Sequence, residues 1–189
     1  MTDSRPNVLI ALGANLSSSR GTPEKTLISA VSAVHTHGMI LREVSRFFLT
    51  PCYPPGAGPD YVNAVIGVTT ALSPAGVLAE LHEIESNFGR RRDTRWGMRT
   101  LDLDLLAYED RVLPDAATQG EWMNLPADQQ RLRAPGQLIV PHPRMQDRAF
   151  VLVPLVDIAP NWRHPVLGKT ARQLLAAVPD AEISGVRPI

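Results

Sequence analysis

The sequence predicts an α+β fold with a ferredoxin-like βαββαβ core, an antiparallel sheet with helices packed on one face. Three observations predict it. Four short apolar runs, Asn7–Gly13, Ile40–Thr50, Tyr61–Thr70 and Leu101–Ala107, have the length and composition of strands. Two stretches between them, opening at Pro23 and Pro74, repeat apolar residues at helical spacing. The length, 189 residues, fits one domain over 1–189.

The run Asn7–Gly13 ends in glycine and reads as a buried strand. Ala14–Gly21 is turn-like. Thr22-Pro23 then opens a helix, with Thr as N-cap and Pro at the first helical position. Leu27, Ile28, Val31 and Val34 carry its apolar face, and His37-Gly38 ends it. Ile40–Thr50 reads as one strand. Pro51–Pro59, with four prolines, cannot join a sheet. Tyr61–Thr70 is the third strand. Ser73-Pro74 repeats the helix-opening signature, Val77, Leu78, Leu81, Ile84 and Phe88 continue it, and Gly89 stops it. Leu101–Ala107 is the fourth strand. Arg111–Gln137 is polar, lacks a period and reads as a long loop that Trp122 and Met123 pin to the body. A short strand at Leu138–Val140, the rigid corner Pro141-His142-Pro143, an apolar Phe150–Ile158 and a short helix at Lys169–Val178 complete a C-terminal extension.

Bulk properties exclude several classes. Hydrophobic residues make up 44% and charged residues 20%, ordinary values for a chain with a full core. The formal net charge is zero, which argues against a dedicated nucleic-acid or anionic-membrane binder. Cys52 is the only cysteine, so no internal disulfide or cysteine-based zinc site forms. The N-terminal MTDSRPN has no signal-peptide pattern, and no apolar run is long enough to span a membrane, so the expected location is cytoplasmic. Gly168-Lys169-Thr170 resembles the end of a phosphate-binding loop, but Arg163 stands where its first glycine belongs.

The chemistry concentrates in Glu85–Asp104. Residues two apart on a strand share a face, so Asp102 and Asp104 stand side by side while Leu101, Leu103 and Leu105 point into the core. Two adjacent carboxylates resist joint ionisation unless a hard cation such as Mg²⁺ or a neighbouring arginine compensates them. Arg90, Arg91, Arg92, Arg95 and Arg99 precede them, with Trp96 among them. Such a cluster is either a solvated basic loop or a clamp on polyphosphate, for which guanidinium forks are suited. His82 and Glu85, three apart on the second helix, share a face leading to this stretch. Tyr61 and Asn63 share a strand face, an aromatic plane beside an amide, as a planar heterocycle requires. Arg148 and Phe150 repeat the two-residue spacing, and His142 is fixed between prolines near Arg144 and Arg148.

Together these residues resemble the 6-hydroxymethyl-7,8-dihydropterin pyrophosphokinase family of folate biosynthesis. The resemblance rests on Arg95–Asp104 (RWGMRTLDLD), Leu12–Leu16 (LGANL), Pro59–Val65 (PDYVNAV) and Val140–Pro160, and it spans nearly the whole chain. It implies transfer of pyrophosphate from ATP, as co-substrate, to the pterin hydroxymethyl group, with release of AMP. Asp102 and Asp104 then hold two Mg²⁺ ions. Arg90 and Arg99 bind the phosphates and assist transfer. Arg92, Arg95 and Trp96 fall in a loop closing over ATP. His82, Glu85, His142 and Arg148 fall on the ATP side. Tyr61 and Phe150 sandwich the pterin, Asn63 bonds its edge, and Thr50 and Pro51 adjoin it. The implied partners are the two substrates alone, with neither nucleic acid nor membrane, and a monomer or weak homodimer. Segment 111–137 exceeds its counterpart in compact members, which leaves open a lid, an oligomer contact or a disordered insertion. Two competing readings are a ferredoxin-like RNA- or protein-binding module and another Mg²⁺-dependent nucleotidyl- or phosphoryltransferase. The aspartates beside the arginines count against the first, because they repel a nucleic-acid backbone.

Overall fold

A computed structural model describes residues 6–52, 58–89, 99–126, 129 and 132–189. Its frame is an antiparallel sheet built on β1 (Asn7–Ala14) and β4 (Tyr61–Thr70), which pair from Asn7↔Thr69 to Ala14↔Val62. On the far side of β1 lies β5 (Asp102–Tyr108). On the far side of β4 lie β2 (Met39–Val44) and β3 (Phe48–Thr50). A two-residue β6 (Arg187–Pro188) extends the β3 edge. The ferredoxin-like arrangement expected from the sequence is the one observed.

Helices α1 (Pro23–Thr36) and α2 (Pro74–Asn87) begin at the expected prolines. The Ser73 hydroxyl accepts a hydrogen bond from the Gly76 N–H at 3.1 Å and so caps α2. Gly38 and Gly89 follow the helices with φ of +76° and +79°, which only glycine adopts without strain. These helices cover one sheet face, where Ile10, Leu12, Ile66, Leu27, Leu81 and Ile84 are buried together.

Four expectations are corrected. Ile40–Thr50 is two strands, because the pairing of β2 with β4 shifts register between Leu41 and Glu43 and the chain then leaves the sheet. At the break Arg46 is held by Asp157: its backbone N–H donates at 2.8 Å and its guanidinium at 2.7 Å. Helices also cover both faces of the sheet. α4 (Ala149–Ile158), α5 (Ala171–Leu175) and α6 (Asp180–Ser184) lie on the face opposite α1 and α2, where Leu152, Leu155, Val65 and Leu106 form a second core. Within Arg111–Gln137, α3 (Ala116–Met123) forms behind its cap Asp115, whose carboxylate accepts from the Thr118 N–H at 2.9 Å. Finally, Leu138–Val140 forms no strand of its own. Val140 makes an isolated bridge with Leu113, and the pair closes the segment at its base.

Candidate active site

The site forms at the end of the sheet where β1 finishes and β4 and β5 begin. Gly13 pairs with Asp102 on one side and Asn63 on the other, so a row Asp102–Gly13–Asn63 runs across three strands. The middle position carries no side chain. A Cβ there would stand 2.8 Å from Asn63 Oδ1, so glycine is required by close approach. The Asn63 amide donates to the Thr50 hydroxyl at 2.6 Å, which turns its oxygen toward Gly13. Thr50 pairs with Tyr61, so Tyr61, Asn63 and buried Thr50 form one wall. Pro51 follows at the exposed rim.

Asp102 and Asp104 lie on the sheet face opposite the buried Leu103 and Leu105, as strand alternation requires. Arg99 forms an ion pair with Asp102. Burial alone lowers the basicity of the Arg99 guanidinium, but Asp102, then Asp104 and Tyr61, outweigh it and hold its pKa above the ordinary value. Burial raises the Tyr61 phenol, with Arg99 opposing and Asp102 contributing. Arg99 therefore lies within electrostatic reach of both the aspartate pair and Tyr61.

Beyond Asp104 opens a cleft of about 370 Å³. His82, His142, Arg144 and Arg148 line it with Asp104, and Leu78, Leu138 and Ile139 supply apolar wall. The His142 backbone N–H donates to Leu106 O at 2.8 Å, docking this segment on the outer edge of β5. Its ring Nδ1 accepts from the Arg144 N–H at 3.1 Å, leaving the proton on Nε2. Burial, then Arg148 and Arg144, push the imidazole pKa down to about 3. Burial also lowers Arg148, with Asp104 and Asp102 opposing.

The structure thus brings together Tyr61, Asn63, Thr50, Arg99, Asp102, Asp104, His82, His142 and Arg148. Phe150 sits 38% exposed in the first turn of α4, with the Arg148 guanidinium 5.5 Å from its ring centre. The two are neighbours because Arg148 is the N-cap of that helix and Phe150 lies in its first turn. Glu85 is 1% exposed, and its Oε1 accepts from the Leu103 N–H at 2.8 Å, so it braces β5 between the two aspartates. Arg90, Arg91, Arg92, Arg95 and Trp96 lie outside the described residues.

Asn15 was missed. It is buried, and its Oδ1 accepts from the Arg99 N–H at 2.9 Å while its Nδ2 donates to Pro59 O at 3.2 Å. Its own N–H donates to Arg99 O at 3.1 Å. One side chain ties Arg99 to the chain entering Tyr61. The only sequence signal was its place in LGANL, a motif that names no partner.

A family model described as 7,8-dihydro-6-hydroxymethylpterin-pyrophosphokinase (HPPK) matches residues 9–160. The 2-amino-4-hydroxy-6-hydroxymethyldihydropteridine pyrophosphokinase of Pseudomonas aeruginosa is 38% identical over 172 residues, covering 91% of each chain. The protein of the same name from Synechocystis is 38% identical over 151 residues, 80% of this chain and 67% of that one. Among solved structures, an HPPK-DHPS in complex with substrates superposes with a TM-score of 0.64 at 13% identity. It shares the fold over 92% of this chain, which spans 43% of that longer one.

Proposed function

The chain belongs to the 7,8-dihydro-6-hydroxymethylpterin-pyrophosphokinase family, and on that premise we propose that it transfers pyrophosphate from ATP to the hydroxymethyl group of 6-hydroxymethyl-7,8-dihydropterin in folate biosynthesis, releasing AMP. The observation that carries this reading is the row Asp102–Gly13–Asn63. It sets a carboxylate pair and a heterocycle wall side by side on one sheet face, with Arg99 paired to Asp102 and close enough to influence Tyr61.

Tyr61 and Phe150 bind the two faces of the pterin, and Asn63, oriented by Thr50, bonds its edge. Pro51 borders that pocket. Asp102 and Asp104 would hold Mg²⁺, and we count two ions. A pair of hard oxygen donors among arginines fits a cation that also takes phosphate oxygens. The metal, when bound, neutralises charge on the phosphates. Arg99 pairs with Asp102, and its guanidinium fork would suit a phosphate oxygen beside the carboxylates. Arg148 and His82 line the triphosphate cleft, and neutral His142 offers its Nε2–H as a donor. Arg90, Arg92, Arg95 and Trp96 complete the ATP contacts in the family reading, and Arg90 shares the catalytic role of Arg99. Glu85 is counted on the ATP side, where its bond to the Leu103 N–H holds β5 between the aspartates.

The pterin hydroxyl attacks the β-phosphorus in line, the bond to the α-phosphate oxygen breaks, and AMP leaves. No covalent enzyme intermediate is required. Catalysis is positioning and charge stabilisation. Cytoplasm, where ATP is abundant and a single cysteine stays reduced, suits the reaction. The test is turnover with ATP, Mg²⁺ and the hydroxymethyl pterin, with products identified by mass. AMP and pterin diphosphate in equal amounts are expected. ADP release, or no turnover by folded protein, overturns the reading.

A further inference from the structure

The segment between the Leu113–Val140 bridge and its own tip has no task in the scheme above. It is nevertheless docked onto the site. The Gln119 side chain, fully buried, donates from Nε2 to Pro141 O at 3.3 Å, one residue from His142. Leu113 and Val140 exchange two backbone hydrogen bonds, of 2.7 and 3.1 Å. These contacts fix α3 beside the cleft, so that Trp122 from its last turn lines the cavity that Asp104, His142 and Arg148 also line. Arg133, on the return path, places its guanidinium 5.4 Å from the Trp122 ring centre and lines the same cavity.

Geometry then assigns the occupant. The hydroxyl must reach the β-phosphorus at the aspartate pair, and the heterocycle wall lies on the Gly13 side of Asp102. The nucleotide must leave in the other direction, past Asp104 and into the cleft. Its phosphates meet Arg144 and Arg148. Behind the phosphates come a ribose and a purine, and the same cavity offers them an apolar lining of Leu78, Leu138, Ile139 and Trp122. An indole face backed by a guanidinium is a stacking surface for a planar base.

We propose that Trp122 and Arg133 form the outer wall of the nucleotide pocket, holding the purine base of ATP by stacking, so that this wall contributes to nucleotide affinity. This rests on the pyrophosphokinase reading, and the experiment separates the two.

The probes are a non-hydrolysable ATP analogue and inorganic tripolyphosphate, both with Mg²⁺, titrated calorimetrically into the whole chain. Tripolyphosphate carries the charge without the base. Trp122→Ala should weaken the ATP analogue about tenfold, the scale of one lost base–aromatic stack. Trp122→Phe should recover most of the loss, and Arg133→Ala should weaken the analogue severalfold. Tripolyphosphate should bind all variants as it binds the parent, within twofold. If Trp122→Ala does not fold, Arg133→Ala carries the test through the ratio of ATP-analogue to tripolyphosphate affinity, which should drop at least threefold. Unchanged affinity for the ATP analogue, or parallel weakening of the analogue and tripolyphosphate, overturns the proposal. Release of AMP by the parent in the same preparation shows that the pyrophosphokinase reading survives such a result. If the parent releases none, that reading fails first.

Discussion

At the scale of single residues, burial decides the charge of His142. With its pKa at about 3, the imidazole is neutral at and around neutral pH. The folded pKa lies below the unfolded value near 6.5. The unfolded chain therefore takes up the proton first on acidification, and stability is lost as pH falls from about 6.5 toward 3. His142→Gln should flatten the fall of Tm across that window and leave the pH dependence of kcat/KM above pH 6 unaltered in shape. An inflection near pH 6.5 that disappears in the variant would show a protonated working form instead. Asp104 lines the cleft within a rigid strand, so Asp104→Asn changes charge but little shape. Turnover at saturating ATP should fall by about two orders of magnitude or more, equivalent to roughly 3 kcal/mol of lost transition-state stabilisation. Tm should move by only a few degrees, and a Mg²⁺ titration should show weakened activation. A collapse of Tm with turnover per folded molecule preserved would make Asp104 a structural residue.

At the scale of elements, the row across β5, β1 and β4 turns strand register into chemistry. Gly13→Ala places a Cβ 2.8 Å from Asn63 Oδ1, and Asn63 cannot swing away without leaving Thr50. Pterin affinity should drop about tenfold or more on the proposed function, because the amide proposed to bond the pterin edge is displaced. Binding of the ATP analogue should stay within twofold. In an Asn63→Ala background the same substitution should cost pterin affinity almost nothing further, which a double-mutant cycle reads directly. Additive losses would place the effect elsewhere. Much of this row was legible in advance: Tyr61, Asn63, Asp102 and Asp104 follow from alternation on two apolar runs. The break in Ile40–Thr50 was not, because it depends on Arg46 meeting Asp157, 111 positions away. Nor was α3 legible. Its eight residues include Gly120 and bury only Gln119, so it shows no apolar stripe, and its position is fixed by a tertiary bond to Pro141. Asn15 and Glu85 share that cause. Each bonds a backbone group distant in sequence, which local pattern does not encode.

At the scale of the whole molecule, the sheet separates two cores with different consequences for function. Leu27 lies in the α1–α2 core, away from the substrates' face. Leu155 lies in the second core on α4, the helix whose first turn carries Phe150 and whose cap is Arg148. Both side chains are 0% exposed, so truncation of either to alanine leaves a cavity costing about 2–5 kcal/mol. For a chain of this size that lowers Tm by roughly 5–15 °C. The stability losses should therefore be similar, but the kinetic ones should not. Leu155→Ala loosens the docking of α4 on Val65 and Leu106 and lets Arg148 and Phe150 at its N-terminus, the two proposed substrate contacts, drift. It should raise KM for the pterin and for ATP several-fold below the new Tm. Leu27→Ala should keep both KM values within twofold at the same distance below its own Tm. The comparison cancels the global loss of stability, which affects both variants, and isolates what the α4 layer does for the site. Matching KM values in the two variants would mean that the sheet alone positions the substrates and that the second core only closes its open face.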